Sequence, residues 1–273
     1  MAGAAGLEVL WANRFAEAVE GTKRLRDGRI LIFFVEPECG QCKRMEALVV
    51  PSTSFYSYTR DKVPLLEDMA TPEGKDLAKR LRIRGAPTWI VVTPELLECG
   101  RQEGPTTQQG WVDAFVQVER GWAVYRKALA DEAADPSNAQ LVFDAARQTY
   151  QRGGGAQAET RFQRLARDPK TPAAIREQAL GFLTGLEMES GRFDEAVQHL
   201  DTLIASAQDP VLKMRAELRR ADVEIARGRK DLAAWRLKEF VKVHPDAPLA
   251  AEAKALLDAL QGKAALPPAT KEN

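Results

Sequence analysis

The spacing of apolar residues changes period along the chain, and each change predicts an element. Residues 12–26 carry Phe15, Ala16, Val19 and Leu25 at roughly helical spacing. "ILIFFV", residues 30–35, is a continuous apolar run, as expected of a strand covered on both faces. "GQCKRMEALVV" returns to helix and stops at Pro51. "KVPLLEDMA" (62–70) reads as a second strand, with Pro64 favouring an edge or an early position. Residues 71–85 read as a helix that Thr71 caps and Pro72 opens, with Gly85 just past its end. "APTWIVV" (86–92) is a third strand, and "LLECGRQEG" after the turn at "TPE" a fourth, paired as a hairpin. The order is β-α-β-α-β-β.

From Thr107 onward the period is helical. Trp111, Phe115, Val118, Trp122, Tyr125 and Leu129 recur at steps of four, three, four, three and four, one continuous stripe over 107–130. This helix is expected to close a first domain and open a second. Beyond Ala139 three passages align on Gly153, Gly191 and Gly228, 38 and then 37 residues apart. Ala158, Ala196 and Ala233 follow each glycine by five. Phe162, Leu200 and Leu237 come four later, then Leu165, Leu203 and Phe240. A small residue at a fixed place lets two helices approach, and the large ones fill the gap to the next pair, so the pattern predicts stacked helix pairs. A last helix over about 247–261 caps the stack. The expected organisation is an α/β domain over 1–118, a connection over 119–138, an all-α repeat domain over 139–262 and a disordered tail over 263–273.

Composition narrows the function classes. The chain has 273 residues, 39 basic and 39 acidic. Residues 1–105 carry 15 of each sign, so neither half has the basic footprint of a nucleic-acid binder. No apolar run approaches the roughly 20 residues that span a bilayer. "MAGAAGLEVLW" lacks the basic and apolar regions of a signal peptide. A cytoplasmic home is expected, or a periplasmic or secreted one if a leader has been removed.

Three cysteines are too few for a disulfide framework. Cys39 and Cys42 stand three apart, behind the predicted buried strand and at the start of a helix. The helix dipole and its unpaired N–H groups stabilise thiolate there. The spacing lets one thiol attack a disulfide and the other resolve the mixed disulfide. A metal site needs two more ligands; the soft candidates are Cys99, His199 and His244, all distant in sequence, so no metal or cofactor is expected. A merely packed pair is the plain alternative. Glu36 and Glu38 disfavour a Cys39 thiolate while Lys43, Arg44 and Arg84 favour it, and sequence leaves the sum open. Cys99 reads as a small packed hydrophobe. Both histidines read as surface or packing residues, His244 as a cation at a helix end.

With "CGQC" after "ILIFFV", "GAPT" at 85–88 and Gly104 before the next helix, residues 8–118 resemble a thioredoxin fold. The resemblance implies Cys39 as nucleophile, Cys42 as resolving thiol, a cis Pro87, and substrate contact at Gly40, Gln41, Ala86 and Pro87. It departs at four places: thioredoxin's buried aspartate is Phe33 here, its tryptophan before the first cysteine is Glu38, its proline between the cysteines is Gln41, and its helix-kinking proline is Ala47. The repeats resemble tetratricopeptide repeats, which implies a surface for client or partner proteins. The order of the two parts is similar to that of bacterial chaperedoxins. Two functions are implied: a thiol–disulfide oxidoreductase with thiol- or disulfide-bearing clients and a reductant such as a thioredoxin reductase or another thiol protein, or a non-catalytic chaperone or scaffold.

Overall fold

The computed structural model describes residues 9–26 and 28–262, so the expected disordered tail lies outside the described residues. The chain forms two compact units. The first comprises Met1–Ala134 and Arg147–Gly154, the second Asp135–Ala146 and Gly155–Asn273.

The first unit is a thioredoxin-like α/β layer structure. Its elements are α1 (Phe15–Thr22), β1 (Arg29–Val35), α2 (Gly40–Val49), α3 (Thr53–Thr59), β2 (Lys62–Asp68), α4 (Pro72–Arg80), β3 (Thr88–Val92), β4 (Glu98–Glu103) and α5 (Gln108–Ala134). The strands order β2-β1-β3-β4, with β1 parallel to β2 and antiparallel to β3, and β3 antiparallel to β4. Pro64 lies in edge strand β2, where its missing N–H breaks the fewest ladder bonds. Strand β1 is central, and its side chains alternate between two cores. Leu31 and Phe33 join Met45, Phe55, Trp89, Trp111 and Phe115 on one face. Ile30, Ile32 and Phe34 join Ala18, Leu65, Leu77 and Ile90 on the other.

Helix α4 begins as expected, with the Gly74 N–H donating to Thr71 Oγ1 at 2.9 Å. Its left-handed exit falls on Arg82 (φ 55°), three residues before the expected Gly85. Helix α5 spans 27 residues, about 40 Å. Its stripe of Trp111, Phe115, Val118, Trp122 and Tyr125 is buried, so the stretch 119–134, read from sequence as a connection, is part of the first unit. Arg147–Gly154 belongs there too: Arg152 Nη1 donates to the Glu98 and Cys99 carbonyls at 3.2 Å each, and Nη2 to the Gly121 carbonyl at 2.7 Å.

Helix α6 (Ala139–Gln151) is shared between the units. The second unit continues through α7 (Gly155–Arg167), α8 (Ala173–Glu189), α9 (Phe193–Ser206), α10 (Pro210–Ala226), α11 (Lys230–Val243) and α12 (Ala250–Leu260), each packed on the next. The turn glycines take left-handed φ: 83° at Gly153, 74° at Gly191 and 77° at Gly228. An L side chain is strained there, which is why this residue recurs. Ala158, Ala196 and Ala233 are completely buried at the predicted close approaches. Leu200 and Leu203 fill the space beside α10, and Leu237 and Phe240 that between α10 and α12.

Candidate functional site

Strands β1 and β3 bring two loops to one end of the sheet. Thr88, the first residue of β3, pairs with Phe34, the penultimate residue of β1. The loop holding Ala86 and Pro87 therefore enters the sheet where the loop holding Cys39 leaves it. The Ala86–Pro87 peptide is cis, as the resemblance implies. Its loop is tied down by Thr88 Oγ1 donating to the Gly85 carbonyl at 2.7 Å and the Gly104 N–H donating to the Pro87 carbonyl at 2.9 Å.

Glu38 takes a left-handed φ of 61°, which turns the chain into α2. Cys39 is the N-cap of that helix, and the Cys42 N–H donates to Cys39 Sγ at 3.0 Å. The two cysteines are joined as a disulfide, with Cα atoms 5.2 Å apart. They are not equivalent. Cys39 is half-buried, under exposed Gly40 and Gln41, whereas Cys42 is 4% exposed among core side chains. A Cβ on Gly40 would meet nothing within 4 Å, so the approach there is open. Cys39 and Ala86 both pack against the same core. Glu36, Glu38, Lys43, Arg44 and Arg84 are all exposed.

The core around Cys42 is apolar. Phe33 is fully buried and stacks on Trp89, centroids 3.8 Å apart and planes within 6°. The buried carboxyl of this sheet is Glu67, on the face it shares with Leu65, opposite Cys42's core. Burial pushes the Glu67 carboxyl up, and Glu73 and Asp68 add to the rise. Cys99 is a free, buried thiol. Burial pushes it up to about 12, against the pull of Arg29 and Arg152, so it holds little thiolate near neutral pH.

A charged cluster, invisible to sequence patterning, lies at the start of β1, the opposite end from the dithiol. Glu119 accepts from Arg29 Nη2 at 2.8 Å and from the Tyr58 hydroxyl at 2.6 Å, with Lys62 Nζ 3.5 Å away. Arg29 lies 5.4 Å from the Trp122 ring centroid. Among the described residues, no three His, Cys, Asp or Glu side chains gather as metal ligands, and no helix is long and apolar enough to cross a membrane.

No protein-family model matches the chain, and no curated protein matches it. Eleven solved chains match. One is the solution structure of a thioredoxin from Thermus thermophilus, 23% identical, covering 42% of this chain and 91% of its own, with a TM-score of 0.38. The thioredoxin-like reading of the first unit therefore stands on its own strand order, its Cys39–Cys42 pair and its cis Pro87.

Proposed function

We propose that this chain is a protein thiol–disulfide oxidoreductase whose helical repeats hold client or partner proteins. The carrying observation is the asymmetry of the pair: Cys39 caps a helix under an open approach, and Cys42 lies buried behind it. In the reducing direction, the Cys39 thiolate attacks a client disulfide, forming a mixed disulfide and expelling one client thiolate. The Cys42 thiol loses its proton and attacks Cys39 Sγ. The second client thiolate leaves, and the Cys39–Cys42 disulfide is closed. A thiol-protein reductant returns two electrons and two protons. Gly40, Gln41, Ala86 and Pro87 are the proposed client contacts, and the Cys42 N–H stabilises sulfur charge on Cys39.

The repeats raise the local concentration of client at the dithiol without changing its chemistry. The order of the two parts, similar to that of chaperedoxins, and a cytoplasmic home belong to the same proposal. The test is trapping. Cys42→Ser should accumulate a mixed disulfide with a disulfide-bearing client, and Cys39→Ser should not. Equal trapping by both variants would remove Cys39 from its role. A non-catalytic chaperone or scaffold is the second reading. The Phe33–Trp89 stack favours it, because it fills the place from which a carboxylate would take the Cys42 proton. Absence of trapping with Cys42→Ser would support that reading.

A further inference from the structure

The 37-residue step between the second and third repeats carries Glu187 onto Glu224 and His199 onto Arg236. Both glutamates end the first helix of their pair and are almost wholly buried, 0% and 1% exposed. The turn behind each is built alike: the Arg192 N–H donates to the Glu187 carbonyl and the Arg229 N–H to the Glu224 carbonyl, both at 2.8 Å. Their charge compensation differs. Glu224 has three arginines: Arg220 at 2.5 Å, Arg229 at 2.6 Å and Arg236 at 4.0 Å. Glu187 has His199, whose Nδ1 lies 2.9 Å from the carboxylate. Arg192, the counterpart of Arg229, bonds Glu159 at 2.7 Å and Glu195 at 3.1 Å instead. The middle repeat thus relies on a removable proton where the next uses permanent cations.

We propose that the His199–Glu187 pair is a proton-operated latch on the middle repeat: it fastens α8 to α9 while the pair holds its proton, and lets the two helices loosen when that proton is lost. With one proton, the pair is either an imidazolium beside a carboxylate or an imidazole beside a carboxylic acid, and neither leaves a bare buried charge. Without it, a carboxylate with no solvent access faces a neutral ring. The chain has two histidines, and the other pairs similarly, His244 Nε2 lying 3.1 Å from Glu217 of α10. That pair is partly exposed on both sides, so its loss is softened by water.

The surroundings keep the effect local to His199. From α9, Glu195 faces Glu187 along with His199, and Arg192 faces it from the turn. From α7, Glu159 engages Arg192. The α10 cations that reach α9 go elsewhere: Arg220 to Asp201 at 2.9 Å and Arg227 to Asp194. Arg219 approaches α8 beside Gly185, two residues and about 200° around the helix from Glu187. Burial pushes the Glu187 carboxyl up, His199 and Arg192 draw it back, and Glu195 adds to the rise. An unfolded chain has lost its Glu proton by about pH 5 and half its His protons by about 6.5. Loss of the pair's proton leaves a bare carboxylate at Glu187 that only opening can hydrate, so the latch holds at mildly acidic pH and weakens as pH rises.

The test is hydrogen exchange of α8 and α9 peptides in the full chain between pH 6 and 9, corrected for intrinsic rates, in wild type and His199→Arg. Linkage of one proton predicts that wild-type opening rises by up to about tenfold per pH unit between the pH at which the opened pair loses its proton and the higher pH at which the closed pair does, and then levels off. His199→Arg, which copies the third repeat, should remove that rise. A pH-independent opening in wild type, or an equal rise in the variant, overturns the proposal. If His199→Arg does not fold, Glu187→Gln takes its place, because a neutral amide deletes the buried charge and should also flatten the profile. A Glu187→Gln profile as steep as wild type is equally fatal.

Discussion

Glu119→Gln is predicted to destabilise the first unit by about 2–3 kcal/mol. In wild type the carboxylate accepts from Arg29 at 2.8 Å and Tyr58 at 2.6 Å, with Lys62 at 3.5 Å. Arg29 is 2% exposed, so it cannot recover in water what it loses. Removing one partner of a fully buried ion pair costs about 3–5 kcal/mol, and an exposed pair contributes about 0–1 kcal/mol. Glu119 is 38% exposed and Lys62 also has Asp61 at 2.7 Å, which places the cost between those limits. The assay is urea unfolding followed by tryptophan fluorescence. Trp11, Trp89, Trp111 and Trp122 lie in the first unit and Trp235 in the second, so the signal reports mainly on the unit perturbed. With a urea slope of about 2 kcal/mol per molar, the midpoint should fall by about 1 M. Acid supplies a second readout. Burial pushes the Glu119 carboxyl up, but the bonds from Arg29 and Tyr58 and the charges of Lys62 and Arg29 outweigh it and hold the carboxyl below its usual range. That stabilisation is present above the unfolded carboxylate range and lost as pH falls through the lowered folded value. Wild type and variant should therefore converge in acid. A midpoint drop below about 0.2 M, or a gap that persists in acid, would mean that Glu119 does not hold Arg29 and Tyr58 as a charged partner.

Cys99 should resist alkylation in the reduced native protein while Cys39 reacts. At pH 8, a thiol at about 12 holds about one ten-thousandth thiolate. Iodoacetamide with mass readout should show one adduct natively, on Cys39, and three in denaturant; a Cys99 adduct in the native protein would contradict the burial. Arg152→Ala removes three hydrogen bonds to the carbonyls of Glu98, Cys99 and Gly121 and should cost about 2–3 kcal/mol in the same urea assay. A fragment ending at residue 154 keeps this arginine, and one ending at 138 does not. The longer one should unfold at higher urea, reduce small disulfides as the full chain does, and fail selectively on protein substrates. Ala196→Leu overfills the close approach of α9 and should destabilise the second unit by about 1–3 kcal/mol without slowing small-disulfide reduction. Slower reduction would mean that the units do not act separately.

Much of the fold was legible because it rests on period. The run 30–35 reads as a two-faced strand because apolar residues stand at every position, and β1 is buried on both faces. The α5 stripe and the glycine–alanine spacing of the repeats carry the same kind of signal. Helix α3 was missed: "TSFYSYT" is poor in helix formers, and it is held by Ser52 capping the Phe55 N–H at 3.1 Å and by burial of Phe55. The return of Arg147–Gly154 to the first unit was missed because a tertiary clamp by one arginine has no local pattern. The burial of Arg29 and Lys62 has no local signature, since their partner Glu119 lies far along the chain. The histidines' partners have no local signature for the same reason: only the structure brings Glu187 and Glu217 beside them. At the site, spacing alone placed Cys39 and Cys42 at a helix start. The Phe33–Trp89 stack below them needed the strand register.

The most direct test of the account is equilibration of the full chain against glutathione buffers of stepped potential, with acid quenching and counting of Cys39 and Cys42 thiols. One reversible two-electron transition is expected, within the roughly −120 to −270 mV spanned by thioredoxin-like dithiols. A pair that stays reduced, or stays oxidised, at every poise would contradict it and leave the helical repeats to carry the function.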